Sequence, residues 1–277
     1  SQHQNEGFQG KRPLNNHLFG AAVIDKTGEQ EFGDHLVADW AIEQLNQNFD
    51  KPLFLAVGLF RPHIPWEVPK RWFDLYPIDT VQIPNVQSDD LLDAHDHGRR
   101  HWHKWVKENN QWRKLMQGYL ASISYVDHQV SRILDGLEAS PNADNTIVVL
   151  WGDHGWHLGD HNLWCKHSNF EQATRTPMII SVPGIAPSVT SAPSEFVDIF
   201  PTLCDAAGVK IPETLDGKSL LPLINKSAKS VKDYSISQYP RSGNVSETER
   251  QNQYHTPGSA PAHFLYREQQ HKRSKAQ

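Results

Sequence analysis

Thr146-Ile147-Val148-Val149-Leu150-Trp151-Gly152-Asp153-His154-Gly155 decides the fold class. The first six residues are β-branched or apolar with no polar alternation, which predicts a strand buried on both faces, as in a parallel sheet. The run passes directly into two glycines that flank an acid and an imidazole. Glycine lets the chain turn sharply and approach a ligand closely. Ligand chemistry in open α/β sheets gathers at the C-terminal ends of strands. Read alone, the four-residue pattern fits either a metal-binding turn or a capped turn with an exposed imidazole.

Upstream of the strand, Trp112, Leu115, Met116, Tyr119, Leu120, Ile123, Val126, Val130, Ile133, Leu134 and Leu137 keep a helical period and predict a helix over 111–139. Leu36, Val37, Trp40, Ala41 and Leu45 predict another over 35–48, with Asp34 as its N-cap. The apolar run 53–59 then predicts a second buried strand, followed by Arg61-Pro62-His63-Ile64-Pro65-Trp66. Its two prolines deny a helix and fix a loop where a strand ends. Downstream, 178–182 predicts a third strand and 194–207 a helix stopped by Gly208. Helices alternating with such strands predict an α/β fold, a largely parallel sheet sandwiched by helices. The acid- and His-rich stretch 77–110 ends in His101-Trp102-His103-Lys104-Trp105, which reads as a solvated aromatic loop or as a specificity loop. Residues 241–277 read as a polar tail, poorly ordered or truncated.

Composition narrows the function. With 277 residues and 38% hydrophobic content, a sizeable core is available. The longest apolar run, 53–60, is far short of the ~20 residues of a membrane-spanning helix. Twenty-seven basic against 32 acidic residues, a net charge of −5, argue against a nucleic-acid surface. Cys165 and Cys204 are too few for a disulfide framework. The polar opening at Ser1 has neither an initiator Met nor a signal-peptide pattern, so the chain is expected to be processed or part of a longer polypeptide.

His157, His161, Cys165, Lys166 and His167 follow the Asp153-His154 pair along one loop. Trp151-Gly152-Asp153-His154-Gly155-Trp156-His157-Leu158-Gly159-Asp160-His161, then Trp164-Cys165-Lys166, Ser168-Asn169-Phe170-Glu171 and Thr176-Pro177, resemble the sulfatases of the alkaline phosphatase superfamily. The likeness is nearest to the iduronate-2-sulfatase and choline-sulfatase branch. Leu55-Ala56-Val57-Gly58 with Arg61-Pro62-His63-Ile64-Pro65, Ser124-Tyr125-Val126-Asp127 and Val197-Asp198-Ile199-Phe200-Pro201-Thr202 extend it over residues 34–240.

This resemblance implies an alkaline-phosphatase-like partial domain over 1–240, without the family's N-terminal portion. It implies Asp153 and His154 as ligands of Ca2+, with Zn2+ or Mg2+ as alternatives. A hard cation prefers oxygen, which suits Asp153 better than His154. Lys166 would hold a sulfate oxygen, and His63 would contact the sulfate and give a proton to the leaving alcohol. His157 and His161 would face the substrate or position groups that do. The implied partner is a sulfated small molecule or glycan, and the implied location is periplasmic, extracellular or lysosomal.

Departures from the family pattern are equally specific. The family's nucleophile is a formylglycine made from Cys or Ser in a Cys/Ser-x-Pro/Ala-x-Arg motif, and no such motif occurs in this sequence. Cys165 is followed by Lys166-His167-Ser168-Asn169, and Cys204 lies in a predicted helix. The family's paired metal-binding aspartates are absent too, since Asp89-Asp90 stands elsewhere in the order. Ser237-Gln238-Tyr239-Pro240-Arg241 should lead into a small antiparallel sheet, which residues 242–277 do not display. The expectation is therefore the middle and later part of a sulfatase, inactive by itself. A phosphodiesterase or phosphonate hydrolase of the same superfamily and a non-catalytic anion- or glycan-binding remnant are the alternatives.

Overall fold

The computed structural model describes residues 19–25, 28–87, 90, 100–240 and 262–268. Asp89, Asp93, Asp96 and most of the predicted tail lie outside the described residues. The chain divides into two compact units, residues 1–145 with 158–164, and residues 146–157 with 165–277.

In the first unit β1 (Ala21–Val23) precedes α1 (Gly33–Leu45), β2 (Trp66–Val68) and α2 (Lys70–Phe73), then α3 (Arg100–Glu108) and α4 (Trp112–Glu138). Strands β1 and β2 pair in parallel, with Ala21 opposite Trp66. Helix α4 packs on α1, α2 and both strands. Gly118 permits that approach, because a Cβ there would overlap the Ala21 side chain. Phe19, Trp66, Trp102, Leu115, Tyr125 and Trp164 form a buried aromatic-rich core, with Phe19 4.3 Å from Trp102 and 5.4 Å from Trp164 between ring centroids. Each such side chain contributes on the order of 2–3 kcal/mol by leaving water.

Three expectations change here. Helix α1 starts at Gly33 behind Phe32, so Asp34 lies inside the first turn rather than capping it. Residues 53–59 form no strand and are not buried, with Phe54 82% exposed, and no described strand runs beside them. Without such a neighbour Leu55, Val57 and Leu59 are only partly covered, and the residues between them are exposed. The 101–105 cluster is helical, not a loop: Trp102 and Val106, four residues apart on α3, both enter the core.

In the second unit β3 (Val148–Trp151) pairs with β6 (Met178–Ser181) antiparallel, Trp151 opposite Met178. Between them come the two-residue strands β4 (His157–Leu158) and β5 (Trp164–Cys165) and the four-residue helix α5 (Glu171–Thr174). A parallel pair needs a crossover, usually a full helix. That connection has none, and this is why β3 and β6 run opposite ways where a parallel pair was expected. The α/β class holds, with helices packed on small sheets.

Helix α6 (Ile199–Ala206) ends before Gly208, whose φ of +67° suits a left-handed stop. It is followed by α7 (Leu221–Ile224) and then β7 (Tyr234–Pro240). Asp198 is fully buried, accepts N–H bonds from Glu195 and Lys218, and pairs with Lys232 at 2.6 Å. Strand β7 pairs antiparallel with β8 (Ala262–Glu268) over seven residues, Tyr234 opposite Glu268. The polar reading of 241–277 thus missed a strand. Its only signal is the short β-forming run Phe264-Leu265-Tyr266 within a charged surround.

Candidate functional site

In the first unit, His63 sits on a loop held by polar side chains. Asp34, 6% exposed, accepts the backbone N–H of Phe60 at 2.6 Å and of Arg61 at 3.0 Å. The Arg61 guanidinium donates to the carbonyls of His63 at 3.3 Å and Glu67 at 2.9 Å. Burial pushes its pKa down, and the Asp34 and Glu67 carboxylates work against that shift. The Trp66 indole N–H donates to the Pro62 carbonyl at 2.8 Å. His63 Nδ1 lies 2.7 Å from the Ile64 carbonyl, which places the proton on Nδ1. Nε2 is then the basic nitrogen of the ring.

In the second unit the loop after β3 is held by close backbone approach. Gly152 N–H donates to the Pro177 carbonyl at 3.2 Å, and the Thr176 hydroxyl donates to the Gly152 carbonyl at 2.9 Å. Gly155 N–H donates to the Ala173 carbonyl at 2.8 Å. A Cβ on Gly155 would overlap the Gln172 carbonyl and lie 2.7 Å from that of Arg175, so only glycine fits.

This loop brings Asp153, His154 and Lys166 together. His154 Nδ1 lies 2.8 Å from the Gly155 carbonyl and carries the proton. Its Nε2 lone pair accepts from the Lys166 ammonium at 2.7 Å and stands 3.3 Å from Asp153 Oδ2. The Asp153 side chain is 82% exposed. One spot thus offers an open carboxylate, an imidazole lone pair and an ammonium, a set able to meet both a cation and an oxyanion.

A carbonyl-anchored imidazole is a common arrangement at metals. Calcium, however, takes about 6–8 oxygen ligands, and among the described residues no group of three or more His, Cys, Asp or Glu converges on one point. Asp153 and His154 therefore do not make a calcium, zinc or magnesium site by themselves.

His157 is placed differently from a substrate contact. It is 1% exposed, with Nε2 2.7 Å from the Ser168 hydroxyl. Ser168 N–H donates to the Lys166 carbonyl at 2.9 Å, and Ser168 Oγ accepts the Phe170 N–H at 3.2 Å. His157 thus lies beneath the turn that carries Lys166. His161 belongs to the first unit, where its Nδ1 is 2.7 Å from Asp90 Oδ2 and its φ is +51°. Cys165 is buried beside Lys166 in the chain. Sequence reasoning missed the loop-holding roles of Asp34, Arg61 and Ser168. An acid near a helix start reads as a cap, and nothing in its local pattern shows a partner 26 residues away.

The sulfatase family profile matches residues 3–209. A sulfatase of Formosa agariphila is 37% identical over 76% of this chain and 43% of its own length. The choline-sulfatase of Rhizobium meliloti is 33% identical over 74% of this chain and 43% of its own length. The chain thus spans less than half the length of these relatives. Among solved structures, the phosphonate monoester hydrolase from Silicibacter pomeroyi superposes with a TM-score of 0.72 at 24% identity, over 87% of this chain and 51% of that one. That likeness shows the alkaline-phosphatase-like fold.

Proposed function

Because the chain belongs to the sulfatase family, we propose that its residues serve hydrolysis of a sulfate monoester in the complete polypeptide, releasing inorganic sulfate from a sulfated small molecule or glycan. The observation that carries this reading is the Asp153–His154–Lys166 cluster at the C-terminal end of β3. Charge builds on the non-bridging and leaving oxygens as a sulfate ester reacts, and preorganised donors aimed there stabilise it. Lys166 exchanges its bond to His154 for one to a non-bridging oxygen. Asp34 and Arg61 hold the loop so that His63 Nε2, once protonated, can give its proton to the leaving alcohol.

A divalent metal and a formylglycine are what the family resemblance implies. The metal would add Lewis-acid stabilisation, with Asp153 and His154 among its ligands. His157 and Ser168 act as positioning residues beneath Lys166, and His161 remains a candidate substrate contact. A periplasmic, extracellular or lysosomal setting accords with the family. No helix among the described residues is long and apolar enough to cross a membrane.

The test is turnover of matched aryl sulfate, phosphonate and phosphodiester substrates by the complete protein. Preference for the sulfate ester supports the reading. Preference for phosphonate transfers the site to the phosphonate hydrolase branch, and no turnover of any ester leaves a binding remnant. The 277-residue chain by itself should give no turnover.

A further inference from the structure

The cluster that follows β3 lies wholly within the second unit, and its charges are arranged against expectation. The bond to the Gly155 carbonyl keeps the His154 proton on Nδ1, so Nε2 is a bare lone pair, and it stands 3.3 Å from the Asp153 carboxylate. Two acceptors that close repel one another unless a cation or a proton joins them. The Lys166 ammonium, 2.7 Å from Nε2, is that cation. It also lies over the Trp156 indole, 5.9 Å from the ring centroid, and the same indole is 5.9 Å from the His154 ring. Among the described residues no carboxylate is in ion-pair contact with Lys166. The ammonium is thus held by a lone pair and a ring face, both neutral, and an anion offers it a charge attraction that neither of them has.

We propose that Lys166 is a removable cap on His154: it fills the place beside Nε2 that any other cation would need, and an oxyanion opens that place by drawing the ammonium to itself. An anion cannot join Lys166 where it stands, because the Asp153 carboxylate borders the same nitrogen and like charges repel. The ammonium therefore turns toward the anion and leaves Nε2 bare. Binding at the cluster acquires an order, oxyanion first and cation second, set by one hydrogen bond. The choice of sulfate as the oxyanion rests on the sulfatase reading above; the cap itself rests on the distances among Asp153, His154 and Lys166.

The test is the rate at which diethyl pyrocarbonate, which acylates bare imidazole nitrogens, modifies His154 in the 277-residue chain, read by peptide mass spectrometry. Lys166→Met should raise that rate about tenfold, the equivalent of one charge-assisted hydrogen bond. Inorganic sulfate, set against chloride at equal ionic strength, should raise the rate severalfold in the natural chain and leave it unchanged in Lys166→Met. This is the reverse of the protection a bound ligand ordinarily gives. Co2+, a cation suited to imidazole, should protect His154 in the natural chain only when sulfate is present, and in Lys166→Met without it. Sulfate that slows the modification of the natural chain, or leaves it unchanged, overturns the proposal. So does a Lys166→Met rate equal to the natural one, or Co2+ protection that is indifferent to sulfate. The sulfate comparison uses the natural chain alone and decides the matter if Lys166→Met fails to fold. None of these readouts involves ester turnover, so the catalytic reading fails separately, through sulfate ester hydrolysis that survives Lys166→Ala.

Discussion

The loop that carries His63 and the loop that carries Asp153, His154 and Lys166 are held by opposite means. The first is held by side chains reaching across sequence: Asp34 takes the N–H groups of Phe60 and Arg61, Arg61 takes two carbonyls, and Trp66 takes a third. The second is held by close approach that glycine permits, with Gly155 pressed against the backbone of 172–175 and Gly152 against the Thr176 side chain, which also bonds its carbonyl. A loop of the first kind breaks when an atom group is removed. One of the second kind breaks when a methyl group is added.

Gly155→Ala should be the most damaging single change, because the added Cβ meets two backbone carbonyls that cannot rotate away. The expected loss is about 3 kcal/mol, read as a lower denaturant midpoint with faster amide exchange over 152–156. Unchanged exchange there would show that close approach does not hold this loop.

The next effect is on the pH axis and belongs to the first unit. Burial, reinforced by the Lys107 ammonium, lowers the His103 pKa from 6.5 to about 4. Between these values the unfolded chain binds a proton that the folded chain refuses. Stability from the neutral ring is therefore complete above pH 6.5 and declines as pH falls toward 4, by up to about 3 kcal/mol. Urea midpoints at pH 7 and pH 5 should differ in the natural chain and differ less in His103→Asn, which keeps an acceptor for the Trp164 indole. An identical pH dependence in the variant would assign the loss to other groups.

Asp34→Ala should cost about 2 kcal/mol, since it strands two N–H groups that have no other acceptor in the loop. Amide exchange at Phe60 and Arg61 should accelerate selectively, and Asp34→Asn should recover part of the protection. A uniform change along α1 instead would make Asp34 a helix residue only. Ser168→Ala is the mildest, about 1 kcal/mol, because it removes the hydroxyl that meets His157 Nε2 and the Phe170 N–H while leaving the Ser168 N–H bond to the Lys166 carbonyl in place. No change in stability or in exchange at Phe170 would make the His157–Ser168 contact incidental.

The glycine-held loop was legible in the sequence and the side-chain-held loop was not. Gly152-Asp153-His154-Gly155 states its geometry locally, since glycines beside a strand end predict close approach, and the structure shows that approach. Asp34 gives no such signal, because its partners are distant in sequence and its position near a helix start has a simpler local meaning. The same limit applies to 53–59, where apolar content predicts burial but only a neighbouring strand can supply it. On α3 the tryptophans and histidines of 101–105 suggested a surface loop, while the spacing of Trp102 and Val106 by one helical turn marks a buried face. Helix α4 and the places of β3 and β6 were legible because their apolar patterns are long or sharply bounded, but β3 is not buried on both faces: it pairs with β6 alone among the described residues and leaves Leu150 and Trp151 exposed.

The most direct test of the Asp153–His154–Lys166 cluster is kcat/KM for an aryl sulfate in the complete protein carrying Lys166→Ala, with Lys210→Ala as the distant control. Loss of an oxyanion donor should lower kcat/KM about a hundredfold or more, and the control should remain within twofold. Turnover by Lys166→Ala equal to that of the control would contradict the assignment of this cluster to sulfate ester hydrolysis.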